Sequence, residues 1–145
     1  MKFSCEKALL QSAINTASRA VSTKSSIPAL EGLLLQCDHR LTVSGYNMQT
    51  GIRTFVEASI GEQGSLVLNA RLFGDIIRKL PDDVLVFESD SKLNVTVTCG
   101  DAFFEIQGIS ADDYPHHKEE NRLFPLQPTI VGHYNDNSHT ACYRH

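Results

Sequence analysis

The chain has 145 residues, of which 41% are hydrophobic and 21% charged, with a net charge of −4 and a pI near 5.8. That length suits one domain with a genuine core. The acidic balance argues against a sequence-reading nucleic-acid binder, which usually carries a basic excess, although positive charge gathered on one face still permits contact with a phosphate backbone.

Met1–Glu6 alternates like a strand, with Phe3 and Cys5 on one face. Lys7–Val21 has helical periodicity: Leu9, Leu10, Ala13, Ile14, Ala17 and Val21 form its apolar side, and Lys7, Gln11, Asn15, Ser18 and Arg19 its polar side. Glu6 and the polar residues make this N-terminus a poor signal peptide. A polar loop, VSTKSSIP, follows, with Ile27 held extended by the proline after it. Leu30–Cys37 is apolar almost throughout, as in a well-buried strand. Leu41–Ser44 and Gly51–Ile60 continue the sheet around the irregular GYNMQT.

Ser65–Leu68 then runs into Asn69, a good helix N-cap. Leu72, Phe73, Ile76, Ile77 and Leu80 predict an apolar stripe on a helix that Pro81 stops, with Arg71, Asp75, Arg78 and Lys79 opposite. Val84–Glu88, Leu93–Thr98 and Ala102–Gly108 read as three more strands, the last two joined by a tight turn at Cys99-Gly100-Asp101.

Strand, helix and three strands thus occur twice. An offset of 63 lays Leu9 and Leu10 on Leu72 and Phe73, and Ala13 and Ile14 on Ile76 and Ile77. Two such units predict an α+β fold, a duplicated strand-helix-three-strand unit with two helices packed on one face of antiparallel sheet. Positive charge concentrates on the helices. Residues 1–24 carry Lys2, Lys7, Arg19 and Lys24 against Glu6, and residues 69–80 carry Arg71, Arg78 and Lys79 against Asp75, in a chain of net −4. A face of this kind tolerates a phosphate backbone without gripping it, and no element looks built to read base edges.

RAVSTKSSIPALEGLLL (19–35), SGYNMQTGIRTFVEA (44–58), NARLFGDIIRKLP (69–81) and FFEIQGISADDYP (103–115) follow the order and spacing of the bacterial sliding clamp family, the beta subunit of DNA polymerase III. The chain resembles the first of that family's three domains over residues 1–115. The resemblance implies a non-catalytic, cytoplasmic DNA replication processivity factor without cofactors. In the family, two chains close into a homodimeric ring around double-stranded DNA, with helices lining the hole and sheets forming the outer wall. The ring is set on DNA by a clamp loader and tethers the DNA polymerase III holoenzyme. By position, the resemblance makes Lys24, Arg71, Arg78 and Lys79 candidates for the DNA-facing surface. It makes Phe104 and Ile106 candidates for the subunit interface, on a last strand that pairs in the family with the other chain. The structural alternatives are a solvated loop lysine for Lys24, a solvated helix face for the three α-helical cations, and core packing for Phe104 and Ile106.

Asn47 and Gln49 stand where acids are common in the family, and Glu119-Glu120-Asn121 still resembles its interdomain linker. From about Arg122 the resemblance is expected to fail. Residues 116–145 are read as a linker remnant and a disordered tail, the mark of a truncated or frame-shifted product. A stand-alone fragment that pairs with a full clamp chain through its edge strand and blocks ring closure is the alternative reading.

Other chemistry is poorly supported. Cys5, Cys37, Cys99 and Cys142 are at least 32 residues apart, so they form no CxxC motif, and Cys5, Cys37 and Cys99, each in a strand-like run, fit buried free thiols in a reducing compartment. His116, His117, His133, His139, Cys142 and His145 match no closed zinc spacing. Asp82-Asp83 and Asp112-Asp113 are adjacent pairs next to turns, whose side chains diverge in an extended chain. A small hydrolase with Tyr46 and Asn47 in its site would need a nucleophile–base pairing that the sequence does not offer.

Overall fold

The computed structural model describes residues 1–22 and 27–114, together with the backbone of Thr140–Arg144. Nine strands and two helices follow one another in the main body: β1 (Lys2–Glu6), α1 (Lys7–Ala17), β2 (Gly32–Cys37), β3 (Leu41–Tyr46), β4 (Thr50–Val56), β5 (Ser59–Glu62), β6 (Gly64–Asn69), α2 (Ala70–Lys79), β7 (Val84–Ser89), β8 (Asn94–Cys99) and β9 (Ala102–Gln107). Short 3-10 turns at Ser18–Ala20, Pro28–Glu31 and Ala111–Asp113 punctuate them. No helix among the described residues is long and apolar enough to cross a membrane.

The α+β architecture is as the repeat predicts, but the strands form two five-stranded antiparallel sheets instead of one. Their orders are β5-β1-β7-β8-β9 and β10-β4-β3-β2-β6, where β10 is Thr140–Arg144. The leading strand of each repeat is exchanged. β1 lies along β7, from Lys2 opposite Glu88 to Glu6 opposite Val84, and β6 lies along β2, from Gly32 opposite Asn69 to Cys37 opposite Gly64. Neither half can therefore complete its sheet alone, and the two repeats fold as one unit.

One core joins both sheets to both helices. It contains Phe3 and Phe87 from the first sheet, Leu33, Leu35 and Leu66 from the second, and Leu10, Ile14, Phe73 and Ile77 from the helices. Phe3 stacks on Phe87 with ring centroids 4.7 Å apart, and Phe73 meets Phe87 edge-on at 6.0 Å. β2 is buried on both faces, because its other side meets a second cluster of Ala29, Leu30, Leu34, Tyr46, Val67, Ala111 and Tyr114. This is why its sequence is apolar without alternation.

Three local expectations are corrected. Gly51–Ile60 is not one strand: it ends at Val56 in one sheet, and β5 resumes in the other, with Ile60 opposite Phe3. The first helix stops at Ala17 and tightens into a 3-10 turn before Val21. Leu72 does not belong to the buried stripe, which consists of Ala70, Phe73, Ile76 and Ile77, continued by Leu80; Leu72 is 49% exposed. Two helical turns separate Leu72 from Lys79, so it shares the direction of that exposed lysine.

The tail expectation also changes. Thr140–Arg144 is not without regular structure: it pairs along β4, with Thr140 opposite Thr54 and Arg144 opposite Thr50. Residues 115–139 and 145, including the candidate histidines, lie outside the described residues, as do Lys24 and the Ser25-Ser26 pair.

Candidate nucleic-acid interface

The two helices lie side by side and run antiparallel. Lys7 at the start of α1 reaches the end of α2, where its ammonium donates to the Arg78 carbonyl oxygen at 3.5 Å. At the other end, Ser18, Val21 and Ser22 share a cleft of about 430 Å³ with Glu31 and with Asn69, Ala70 and Arg71 at the start of α2. Gly74 faces Ile14 across the pair, where a Cβ would make ordinary van der Waals contact with the Ile14 Cγ2 at 3.5 Å.

Local chemistry fixes α2 as well as packing does. The Asn69 side-chain oxygen accepts the Leu72 N–H at 3.0 Å, which satisfies one of the unpaired donors of the first turn. Arg78 and Lys79 occupy the last turn, where cations complement the negative end of the helix.

The helix pair presents an outward surface with little negative charge. α1 contains no acid, and its exposed positions are Ala8, Ser12 and Asn15, with Arg19 in the turn beyond. α2 exposes Arg71, Leu72, Arg78 and Lys79. Asp75, its one acid, is half-buried and accepts a hydrogen bond from the Arg78 guanidinium. That contact partly neutralises Arg78, which leaves Arg71 and Lys79 as the more available cations. Exposed acids gather at one end of the pair, where Glu6, the residue before α1, shares a cleft with Asp82 and Asp83 after α2, and others, Glu88 and Asp101 among them, lie in the strands and turns of the first sheet.

The structure thus brings Arg71, Arg78 and Lys79 together on one helix surface, joined by Lys7, whose contact sequence spacing could not reveal. Phe104 and Ile106 share a face of β9, as the alternation predicts, but it is the inward one. Val97 pairs with Phe104 and Val95 with Ile106, and Ile106 is 7% exposed. The aromatic that faces out of β9 is Phe103, 58% exposed and flanked by Glu105 on the same side. In the 45–50 segment Tyr46 is buried, and the Asn47 side-chain oxygen accepts the Gln49 and Thr50 N–H groups at 3.0 and 2.8 Å. Asn47 is thereby committed to a turn in which Met48 takes a φ of 75°. Among the described residues no group of His, Cys, Asp and Glu is placed to hold a metal ion.

Residues 1–118 match the family model of the DNA polymerase III beta subunit, N-terminal domain. The chain belongs to this family. It is 29% identical over 142 residues to the beta sliding clamp of Halalkalibacterium halodurans, covering 90% of this chain and 37% of that protein. An alignment that reaches 90% of the chain does not stop at Arg122, so the similarity runs further into the tail than the motifs suggest. The fold superposes on the sliding clamp of Bacillus subtilis with a TM-score of 0.76 and 28% identity, over 92% of this chain and 35% of that one. It superposes equally on the beta subunit from the DNA polymerase of Streptococcus pyogenes, with a TM-score of 0.76, 26% identity and coverage of 92% and 34%. The chain spans about a third of the length of these relatives.

Proposed function

We propose that this chain supplies the first domain of a DNA polymerase III sliding clamp, with the α1–α2 surface turned toward duplex DNA. The carrying observation is the segregation of charge in a family member: Arg71, Arg78, Lys79 and Lys7 lie on a helix pair that holds one acid, in a chain of net −4. Processivity by encirclement needs a surface that lets DNA slide, so few and weak phosphate contacts suit it. In this reading residues 1–115 are the domain and the following residues connect it onward. The ring, the clamp loader and the polymerase belong to the complete assembly, and the domain itself performs no covalent chemistry.

The test is fluorescence anisotropy of a labelled duplex at increasing salt. Weak, sequence-independent binding is expected, with a log–log salt slope of roughly −0.9 per phosphate contact, hence about −2 to −3. Combined Arg71→Glu and Lys79→Glu, both at exposed positions, should abolish the binding without moving the melting temperature. Binding that survives this double reversal unchanged would sink the helix-face reading.

A second reading has its own support in β9. This six-residue strand ends its sheet and points Phe103 outward, so it could pair with a full clamp chain and obstruct ring closure. The proper probe is Phe103→Asp, because substitution of Phe104 or Ile106 would disturb the core. Co-purification with a full clamp that Phe103→Asp abolishes would favour this reading. Failure to co-purify at all would remove it.

A further inference from the structure

β7 is apolar on both of its sides over Val84–Phe87. Leu85 and Phe87 point inward and are buried in the core. A strand covered on both faces has this composition, as β2 does, but the outward side of β7 stays in solvent. Val84 is 52% exposed and Val86 is half-buried. The register carries this outward side across the first sheet. Ser4, Val86, Thr98 and Phe103 are successive cross-strand partners, so they form one row on the outer face. Exposed apolar side chains joined in this way mark an interaction surface.

Acids border the row on both sides. On one side Glu6 is the cross-strand partner of Val84, and both line a cleft of about 290 Å³ with Asp82 and Asp83. Asp101 follows nearby in the β8–β9 turn. On the other side runs the row Lys2, Glu88, Thr96 and Glu105. Lys2 is the one cation in these rows, and it pairs with Glu88 at 3.4 Å. Two more lysines lie at the margins. Lys7 gives its ammonium to the Arg78 carbonyl, and Lys92 sits in the β7–β8 turn, where its N–H donates to Asp90.

We propose that the outer face of the first sheet is a docking surface for a protein segment that presents a lysine or arginine beside an apolar side chain. Charge complementarity selects this partner, because the acids attract a cation and repel a phosphate backbone. The cleft of Glu6, Asp82 and Asp83 takes the cation, with Val84 against its methylene stem. The row through Val86 and Phe103 takes the apolar group. Val84 and Val86 are two residues apart on one strand, so the two anchors of the partner stand about 7 Å apart. An extended segment offers that separation between alternate residues, and a helix between residues one turn apart. This surface is separate from the α1–α2 face and from the backbone edge of β9, so the inference stands without DNA binding or ring closure.

The test is selection of displayed random-sequence peptides on the full chain in about 0.15 M salt. Binders should be enriched in lysine or arginine two or four positions from an aromatic or large aliphatic residue. One synthesised binder, followed by fluorescence anisotropy, should lose about fivefold in affinity with Glu6→Gln and Asp82→Asn combined, and about as much with Val84→Ser. Asp112→Asn with Asp113→Asn removes equal charge from the turn after β9 and should leave the affinity unchanged. All five positions are exposed, so these variants keep the fold. An absence of binders, binders without that pattern, a loss missing from either test variant, or an equal loss in the control pair would overturn the proposal. So would a dimer in light scattering that Val84→Ser dissolves, which would make a second copy the occupant.

Discussion

The Lys7 ammonium donates to the Arg78 carbonyl oxygen at 3.5 Å, so the first residue of α1 caps the last turn of α2 across 71 positions of sequence. The contact is possible because the helices are antiparallel, and it places a cation at the negative end of α2. Replacement by a residue of similar length and no charge, Lys7→Met, should lower stability by about 0.3–1 kcal/mol at low ionic strength, with most of the loss screened in 1 M salt. Urea unfolding at both salt concentrations checks this; an equal loss at both would point to packing instead.

Asn69 starts the same helix. Its side-chain oxygen holds the Leu72 N–H, so Asn69→Ala should cost about 1 kcal/mol, whereas Asn69→Asp, which keeps the acceptor, should cost much less. Equilibrium denaturation of the two variants gives the comparison directly.

Gly45 marks where β3 runs against the end of α1. A Cβ at this position would lie 2.2 Å from the Ala17 carbonyl oxygen and 3.2 Å from the Val21 Cγ2. The first partner is backbone and cannot turn aside. Gly45→Ala should therefore lower the denaturation midpoint by an amount typical of overpacking, about 1–3 kcal/mol, although alanine suits a strand better than glycine on propensity alone. A midpoint at or above that of the parent protein would mean that α1 yields at this contact.

The buried thiols predict alkaline behaviour. Burial, helped by the Glu6 carboxylate, pushes the Cys5 thiol up to about 12, and burial raises Cys37 and Cys99 as well. The folded chain holds these protons more tightly than the unfolded chain, whose thiols titrate near 8.5. Their contribution to stability is full below that pH and is lost as pH rises toward 12. At pH 8, iodoacetamide followed by peptide mass analysis should leave Cys5, Cys37 and Cys99 unmodified in the native chain and modify all three in urea. The melting temperature should hold through pH 8 and decline above pH 9.

Asp90 runs the opposite way. Its carboxylate accepts the Asn94 N–H, the Asn94 side-chain amide and the Lys92 N–H, which hold its pKa below the usual carboxylate value. The turn that joins β7 to β8 is therefore supported at neutral pH and loses that support as pH falls through the folded-state value. Asp90→Asn, compared with the parent protein across acidic pH, should show a stability difference that shrinks as pH drops. A constant difference would assign the effect of Asp90 to geometry and not to its charge.

The sequence by itself determined the elements and their repetition. Period-two and period-3.6 spacing located β1, β7, β8, β9 and both helices, a near-continuous apolar run located β2, and Asn69 and Pro81 marked the ends of α2, because these signals act within a few residues. The four motifs carried the family, and the concentration of Arg71, Arg78 and Lys79 was legible from the same helical spacing. What faces what was decided only by tertiary pairing. Alternation set Phe104 and Ile106 on one face of β9, but their pairing with Val97 and Val95 turned that face to the core and Phe103 to solvent. Leu72 fell outside the buried stripe because the width of an apolar face depends on what packs against it. The exchange of β1 and β6 between the repeats, the break after Val56 and the docking of Thr140–Arg144 on β4 join residues dozens of positions apart. Backbone hydrogen bonds between strands carry no side-chain signature, so no local pattern in the chain could assign those partners.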